Sequence, residues 1–430
     1  MYLDKIKSFF KKLNYKSFVL IFLLFFGIMP IIPRAVSTYL TTYSYMALVV
    51  AVVLFTIIAC RVANVRTFIA FSLPFILYQL FVLLFNHSDD VLLAGYQVLL
   101  FLMPAFIGYY LVTHPFYSQV YTSVIVIAYL VTGITTVIGC TKYPDAARIL
   151  ATTASSQDPI AVMYSWMNIG GYGFVYSMVL LYPFVVLAFK MKRLRLIPMI
   201  LITVVMFVTV ISAEYTYAFM LMMITALMLI LPRDISIKRF ILLMLVFTLA
   251  VFLFRTTVAA IISAIGDYLG NSTMTDKINV IFLGKESVEG FDDDRGALYM
   301  LSIESFLKNP LFGSLPSGNA LTGGHSFILD NLARFGLVGG GLMIFMYRGI
   351  WRVFFRPLKG QPGYCLVFWA FVQPILLSSI NTGMWLENLC LYPPILLCYI
   401  YGNEFYLKQS ETKPTPLVQM NVLQSKVTKE

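Results

Sequence analysis

Charge is what this sequence has least of. Asp, Glu, Lys and Arg make up 12% of its 430 residues, where a soluble domain carries about a quarter. So few charges cannot cover a chain of this length in water, which leaves lipid as the solvent for most of it. Cysteine is scarce as well. Cys60, Cys140, Cys365, Cys390 and Cys398 show no C-x-x-C spacing and no histidine nearby, so neither a disulfide framework nor a zinc site is expected. Most of them fall in apolar runs, where a free cysteine behaves as a small hydrophobe. No repeat of fixed period runs through the chain.

What fills the sequence instead is apolar: 60% hydrophobic residues, with 36 Phe and 27 Tyr and a mean hydropathy of +0.83. A helix needs about 20 apolar residues to cross the bilayer core. Runs of that kind lie near 17–33, 44–60, 67–85, 91–111, 116–139, 172–190, 194–212, 215–231, 239–255, 324–347, 363–380 and 386–401. They predict an all-α polytopic membrane protein with about a dozen spans. Residues 1–401 read as one transmembrane domain and 402–430 as a polar cytoplasmic tail. The basic start and Phe18–Met29 are similar to a signal peptide, but Arg34, two prolines and the later spans favour an uncleaved first helix.

The formal net charge of +11 is explained by where the basic residues fall. With the N-terminus inside, most Lys and Arg collect in cytoplasmic pieces, including Lys190–Arg195, Arg233–Arg239 and Arg348–Lys359, while most acids fall elsewhere. That is the positive-inside bias, with both termini cytoplasmic. Attraction to anionic lipid follows, and no nucleic-acid partner is needed.

Two outer loops are long, 140–171 and 256–323. Long loops in compact proteins tend to carry function. In the second, Thr257–Leu269 and Leu298–Phe312 have apolar residues at helical spacing, which predicts short helices at the outer interface, covering a cavity. Apart from Glu214, Asp330 and Arg334, the spans are read as lacking the ionisable groups of ion-coupled transport.

The second loop and the span after it hold the candidate chemistry. His325 is one of 3 histidines and enters a helix from the outer side, where a group titrating near neutral pH suits acid–base work. Capping that helix is the alternative role. Arg295 offers a planar fork of donors that matches a phosphate, or an ion pair with Asp292, Asp293 or Asp294. Asp330 and Arg334 stand i,i+4, the spacing of a mutual ion pair. Lys277, Lys285 and Lys308 add positive charge, equally explained as a solvated face. The three adjacent acids 292–294 cannot all point into one site, so no metal is expected. His87 with Asp89 and Asp90 reads as an interfacial turn, and His114–Pro115 as a helix break.

In order along the chain stand Arg295, Asn309-Pro310-Leu311-Phe312-Gly313, His325-Ser326, Leu329, Leu332, Gly336 and Gly339. This pattern resembles the lipid-linked polysaccharide polymerases and ligases of bacterial envelopes, the Wzy-type O-antigen or capsule polymerases and the O-antigen ligases. The detailed match covers about 295–341. The layout of twelve spans, with one large outer loop between spans 9 and 10, is similar over the whole chain. One departure stands out: Ser212-Ala213-Glu214-Tyr215-Thr216 lacks the Arg these families often carry at that hairpin. Glu214 there suits a sugar hydroxyl instead.

The resemblance implies a fold like the type C (GT-C) membrane glycosyltransferases in the bacterial cytoplasmic membrane. It implies an inverting, metal-independent transferase without cofactor, acting on undecaprenyl-diphosphate-linked glycans. His325 would act on the acceptor hydroxyl and Arg295 on the departing diphosphate, with Asp330, Arg334, Glu214 and Lys308 contacting substrate. A flippase and a chain-length regulator are the partners it implies. Ligation of a finished chain, and a lipid-linked oligosaccharide flippase, remain the alternatives.

Overall fold

A long apolar chain with its backbone satisfied internally has helix as its economical solution, and every regular element described is helical. The computed structural model describes residues 15–40, 44, 47, 51, 66–85, 104, 107–108, 118–152, 158–268, 295–314 and 321–402. The elements are α1 (Tyr15–Ile28), α2 (Ile31–Tyr39), α3 (Arg66–Phe85), α4 (Ser118–Lys142), α5 (Ala146–Thr152), α6 (Pro159–Trp166), α7 (Tyr172–Lys190) and α8 (Leu196–Ser212). They continue with α9 (Thr216–Leu227), α10 (Ile237–Leu253), α11 (Arg255–Tyr268), α12 (Arg295–Lys308), α13 (Phe327–Ile350), α14 (Tyr364–Ile380) and α15 (Tyr392–Tyr401). A π-turn follows α13 at Trp351–Phe355, and another, Glu387–Leu391, leads into α15.

Helices stand where ten of the expected spans lie, but fewer are full length. Among the described residues three are long and apolar enough to cross a membrane: α4, α7, and α13 continued to Leu358. The figure rises to five if each of two bent pairs is one span, α1–α2 bent by 103° and α10–α11 by 83°. Pro30 explains the first bend, since it disfavours helix at Met29 and lacks an N–H. The helices α8, α9 and α14 are apolar but run only 17, 12 and 17 residues. The expected spans 44–60 and 91–111 lie almost wholly outside the described residues. The outer faces of α8 and α10 are apolar and open, with Ile197 72% and Leu253 66% exposed. Continuous apolar surface of this kind suits lipid.

Hydrogen bonds sort the helix ends into two groups. At one end Lys190 Nζ donates to the carbonyls of Leu229 and Leu231, and Arg193 Nε to that of Ile400 at 3.1 Å. There too the Gly363 N–H donates to Arg233 O at 3.2 Å. At the opposite end Ile31 N donates to Asn168 Oδ1 at 3.3 Å, and the Tyr215 hydroxyl to Ala147 O at 3.0 Å. Consecutive helices therefore run up and down, with basic turns gathered at one end.

Local sequence explains the remaining joints. Asp158 caps α6 by accepting from Ile160 N at 2.8 Å and Ala161 N at 3.2 Å, with Pro159 in the first turn. Inside, Thr225 accepts from Trp369 Nε1 at 3.0 Å and from Gln373 Nε2 at 2.7 Å, which ties α9 to α14. Both long loops, 140–171 and 256–323, carry helices: α5 and α6 in the first, α11 and α12 in the second.

Candidate functional site

The Asn309–Gly313 element and the glycines after it form one device. Helix α13 breaks at Gly336, where φ is 63° and ψ −166°. A break leaves the next N–H groups without their helical acceptors. The 309–314 turn supplies replacements: Leu337 N donates to Pro310 O at 2.8 Å and Val338 N to Leu311 O at 3.1 Å. In return, Ser314 N and Oγ donate to the freed Arg334 carbonyl at 3.0 and 3.2 Å. The Tyr78 hydroxyl of α3 donates to Phe312 O at 3.3 Å.

A second tie lies one turn into α13. Ser302 of α12 donates to Asp330 Oδ1 at 2.7 Å and accepts from Gly323 N at 3.0 Å. All three meet in the interior, with Ser302 and Asp330 buried. Asp330 is thus held by α12, and its i,i+4 ion pair with Arg334 is not formed. The Arg334 side chain is exposed and runs back to Thr322, Nη2 to Oγ1 at 3.4 Å.

These ties set the positions of the predicted residues. His325 is exposed, just before α13. It does not cap the helix. Ser326 does, accepting from Leu329 N at 3.2 Å. The Gly323 backbone packs on the Leu298 main chain, so the start of α12, at Arg295, lies beside the His325 loop. The Arg295 side chain itself is outside the described residues, as are Asp292–Asp294, Lys277, Lys285, His87 and His114. Arg334 reaches the same loop through Thr322. Lys308 is exposed at the far end of α12, roughly 20 Å from Arg295 at 1.5 Å per residue. Glu214, half-buried with φ 58°, sits in the α8–α9 turn near Cys140 of α4. It belongs to another part of the same end.

One feature at this end was not among the predicted residues. A cavity of about 650 Å³ opens between the α1–α2 turn, α4, the start of α7 and residues 381–392. Glu387 faces it and keeps exposed surface there. This acid lies in the apolar run 386–401, so the reading that only Glu214, Asp330 and Arg334 charge the spans is corrected. The following Asn388 is buried and held by α7: its Oδ1 accepts from Ser177 Oγ at 3.1 Å, and its Nδ2 donates to Ser177 O at 3.0 Å. Trp385, which also lines the cavity, has φ 55°, unusual for a bulky side chain. Its indole N–H is buried without an acceptor. The cavity rim adjoins the His325 loop, because Phe327 N donates to Asn381 O at 2.8 Å.

No protein-family model matches this chain, and comparison with curated protein sequences finds no match.

Proposed function

We propose that this chain is a membrane-embedded glycan polymerase. It transfers a growing chain from a polyprenyl diphosphate to the sugar hydroxyl of an incoming lipid-linked repeat unit, at the outer face of a bacterial cytoplasmic membrane. The proposal includes a twelve-span, GT-C-like fold with both termini cytoplasmic, which puts the basic turns inside and the His325 loop outside.

One observation carries the reading. Helices α12 and α13 are locked together at two places, Ser302–Asp330 and the 309–314 turn on Gly336, and so hold the His325 loop beside the start of α12 and the rim of a cavity. A structural histidine would be buried or bonded into the frame, whereas His325 is exposed and relieved of capping by Ser326. In this scheme His325 orients the acceptor hydroxyl or takes its proton. Arg295 offsets negative charge as the diphosphate leaves. The new glycosidic bond forms as the bond to diphosphate breaks, and the phosphate oxygens keep the electron pair. Asp330 serves the site by positioning. Arg334, through Thr322, is placed to add a second cation.

The test is His325→Ala and, separately, Arg295→Ala in the native host, with membrane levels checked and the surface polysaccharide separated by size. Loss of long chains, with single repeat units still reaching the outer face, is expected. Normal chain lengths would refute the assignment, and repeat units retained on the cytoplasmic side would point to a flippase.

A further inference from the structure

The cavity beside the His325 loop has a chemistry of its own. Its size falls within the range of small-molecule sites, about 300–1,000 Å³. Its walls are rich in aromatic rings, among them Tyr129, Tyr172, Phe174 and Trp385. Among the described residues its lining contains one ionisable acid, Glu387, and no Lys, Arg or His. A carboxylate with no cation opposite repels phosphate and other anions. Such a lining favours an uncharged ligand over the diphosphate of a lipid carrier.

We propose that the cavity seats an uncharged sugar ring, the acceptor end of the glycan, and that Glu387 selects against acidic sugars. This rests on the reading of the chain as a glycan transferase. Aromatic faces suit the C–H faces of a pyranose, and a carboxylate accepts hydrogen bonds from its hydroxyls. Asn381 and Thr382 line the same space with neutral donors and acceptors. A ligand that only donates, such as an ammonium ion, would satisfy the carboxylate and the rings but leave those donors unanswered.

The local backbone carries the marks of a built site. Trp385 is held at φ 55°, its ring packed on Gly383 and its N–H without an acceptor. Strain of this kind persists where surrounding structure enforces it, and it clusters at functional sites. The π-turn Glu387–Leu391 is another such mark. It is fixed from behind by the paired hydrogen bonds between Asn388 and Ser177, and Ser177 in turn bonds the Tyr129 hydroxyl. Glu387 is thereby presented from a rigid shelf.

The test uses the full chain in nanodiscs. The probe is the repeat-unit oligosaccharide released from the host's own surface polysaccharide, free of lipid and phosphate, followed by titration calorimetry. Glu387→Gln keeps the shape and removes the charge, and an unchanged melting temperature checks the fold. Wild type is expected to bind the probe and Glu387→Gln to bind it about tenfold to a hundredfold more weakly, the usual effect of losing a charged hydrogen-bond partner. Carboxyl-reduced and native forms of an acidic oligosaccharide should differ, the reduced form binding better to wild type and equally with the native form to Glu387→Gln. No binding to wild type, equal binding to both proteins, or displacement of the probe by tetramethylammonium would overturn the proposal. Normal polymer from His325→Ala refutes the polymerase reading, whereas unchanged binding by Glu387→Gln refutes the sugar seat alone.

Discussion

Gly313 and Gly336 meet backbone to backbone, both at positive φ, so closely that a Cβ on Gly336 would lie 2.5 Å from the Gly313 nitrogen. No side chain fits between them, and left-handed backbone suits glycine at both places. Gly336→Ala should therefore cost at least about 2 kcal/mol, combining backbone strain with overlap. A lowered melting temperature in detergent, together with reduced membrane levels, is the expected result. An unchanged melting temperature would show that the 309–314 turn is not docked on the kink.

Asp330 is predicted to act through its hydrogen bond and not its charge. Asp330→Asn keeps an acceptor for Ser302 and should retain most activity. Asp330→Ala leaves the buried Ser302 hydroxyl and Gly323 N–H with a weakened frame, at about 1.5–3 kcal/mol. Chain length in cells and melting temperature in detergent, measured for both variants, separate positioning from direct contact with substrate.

Ser326 and His325 should divide stability from chemistry. Ser326→Ala removes the cap of α13 and should cost about 1 kcal/mol. His325→Ala touches an exposed side chain and should change stability by less than about 0.5 kcal/mol, yet abolish long chains. Equal loss of stability in the two variants would return His325 to a structural role.

Sidedness can be read with single cysteines. The described native cysteines Cys140, Cys365, Cys390 and Cys398 are buried, so background labelling from them is low. Lys192→Cys lies at the basic end, and Leu321→Cys, 65% exposed in wild type, lies at the other. A membrane-impermeant thiol reagent on intact cells should label position 321 and not 192. The reverse pattern would invert the proposed topology.

The helices were legible in the sequence because apolar runs bounded by Gly, Pro and basic turns fix their ends. Helix α12 (Arg295–Lys308) overlaps the helical spacing of Leu298–Phe312, whereas the break of α13 at Gly336 interrupts what reads in the sequence as one continuous span over 324–347. Two further things were not legible. The Asp330–Arg334 spacing signals a pair within one helix, but Ser302, 28 residues earlier, takes the carboxylate. The cavity escaped notice because residues 26–33, 171–177 and 381–392 meet only in three dimensions. A usable signal existed in Glu387, a lone acid in an otherwise apolar run, hidden by the hydropathy of its neighbours.

In the proposed topology, the shortness of α9 bears on the surrounding bilayer. At 12 residues it rises about 18 Å, well under the roughly 30 Å of a hydrocarbon core. Below it the Lys190 ammonium draws in the carbonyls that close the helix. In the proposed twelve-span topology, lipid on that flank would thin, or its headgroups dip, to meet these polar groups. The elastic cost falls on the membrane and not on the fold.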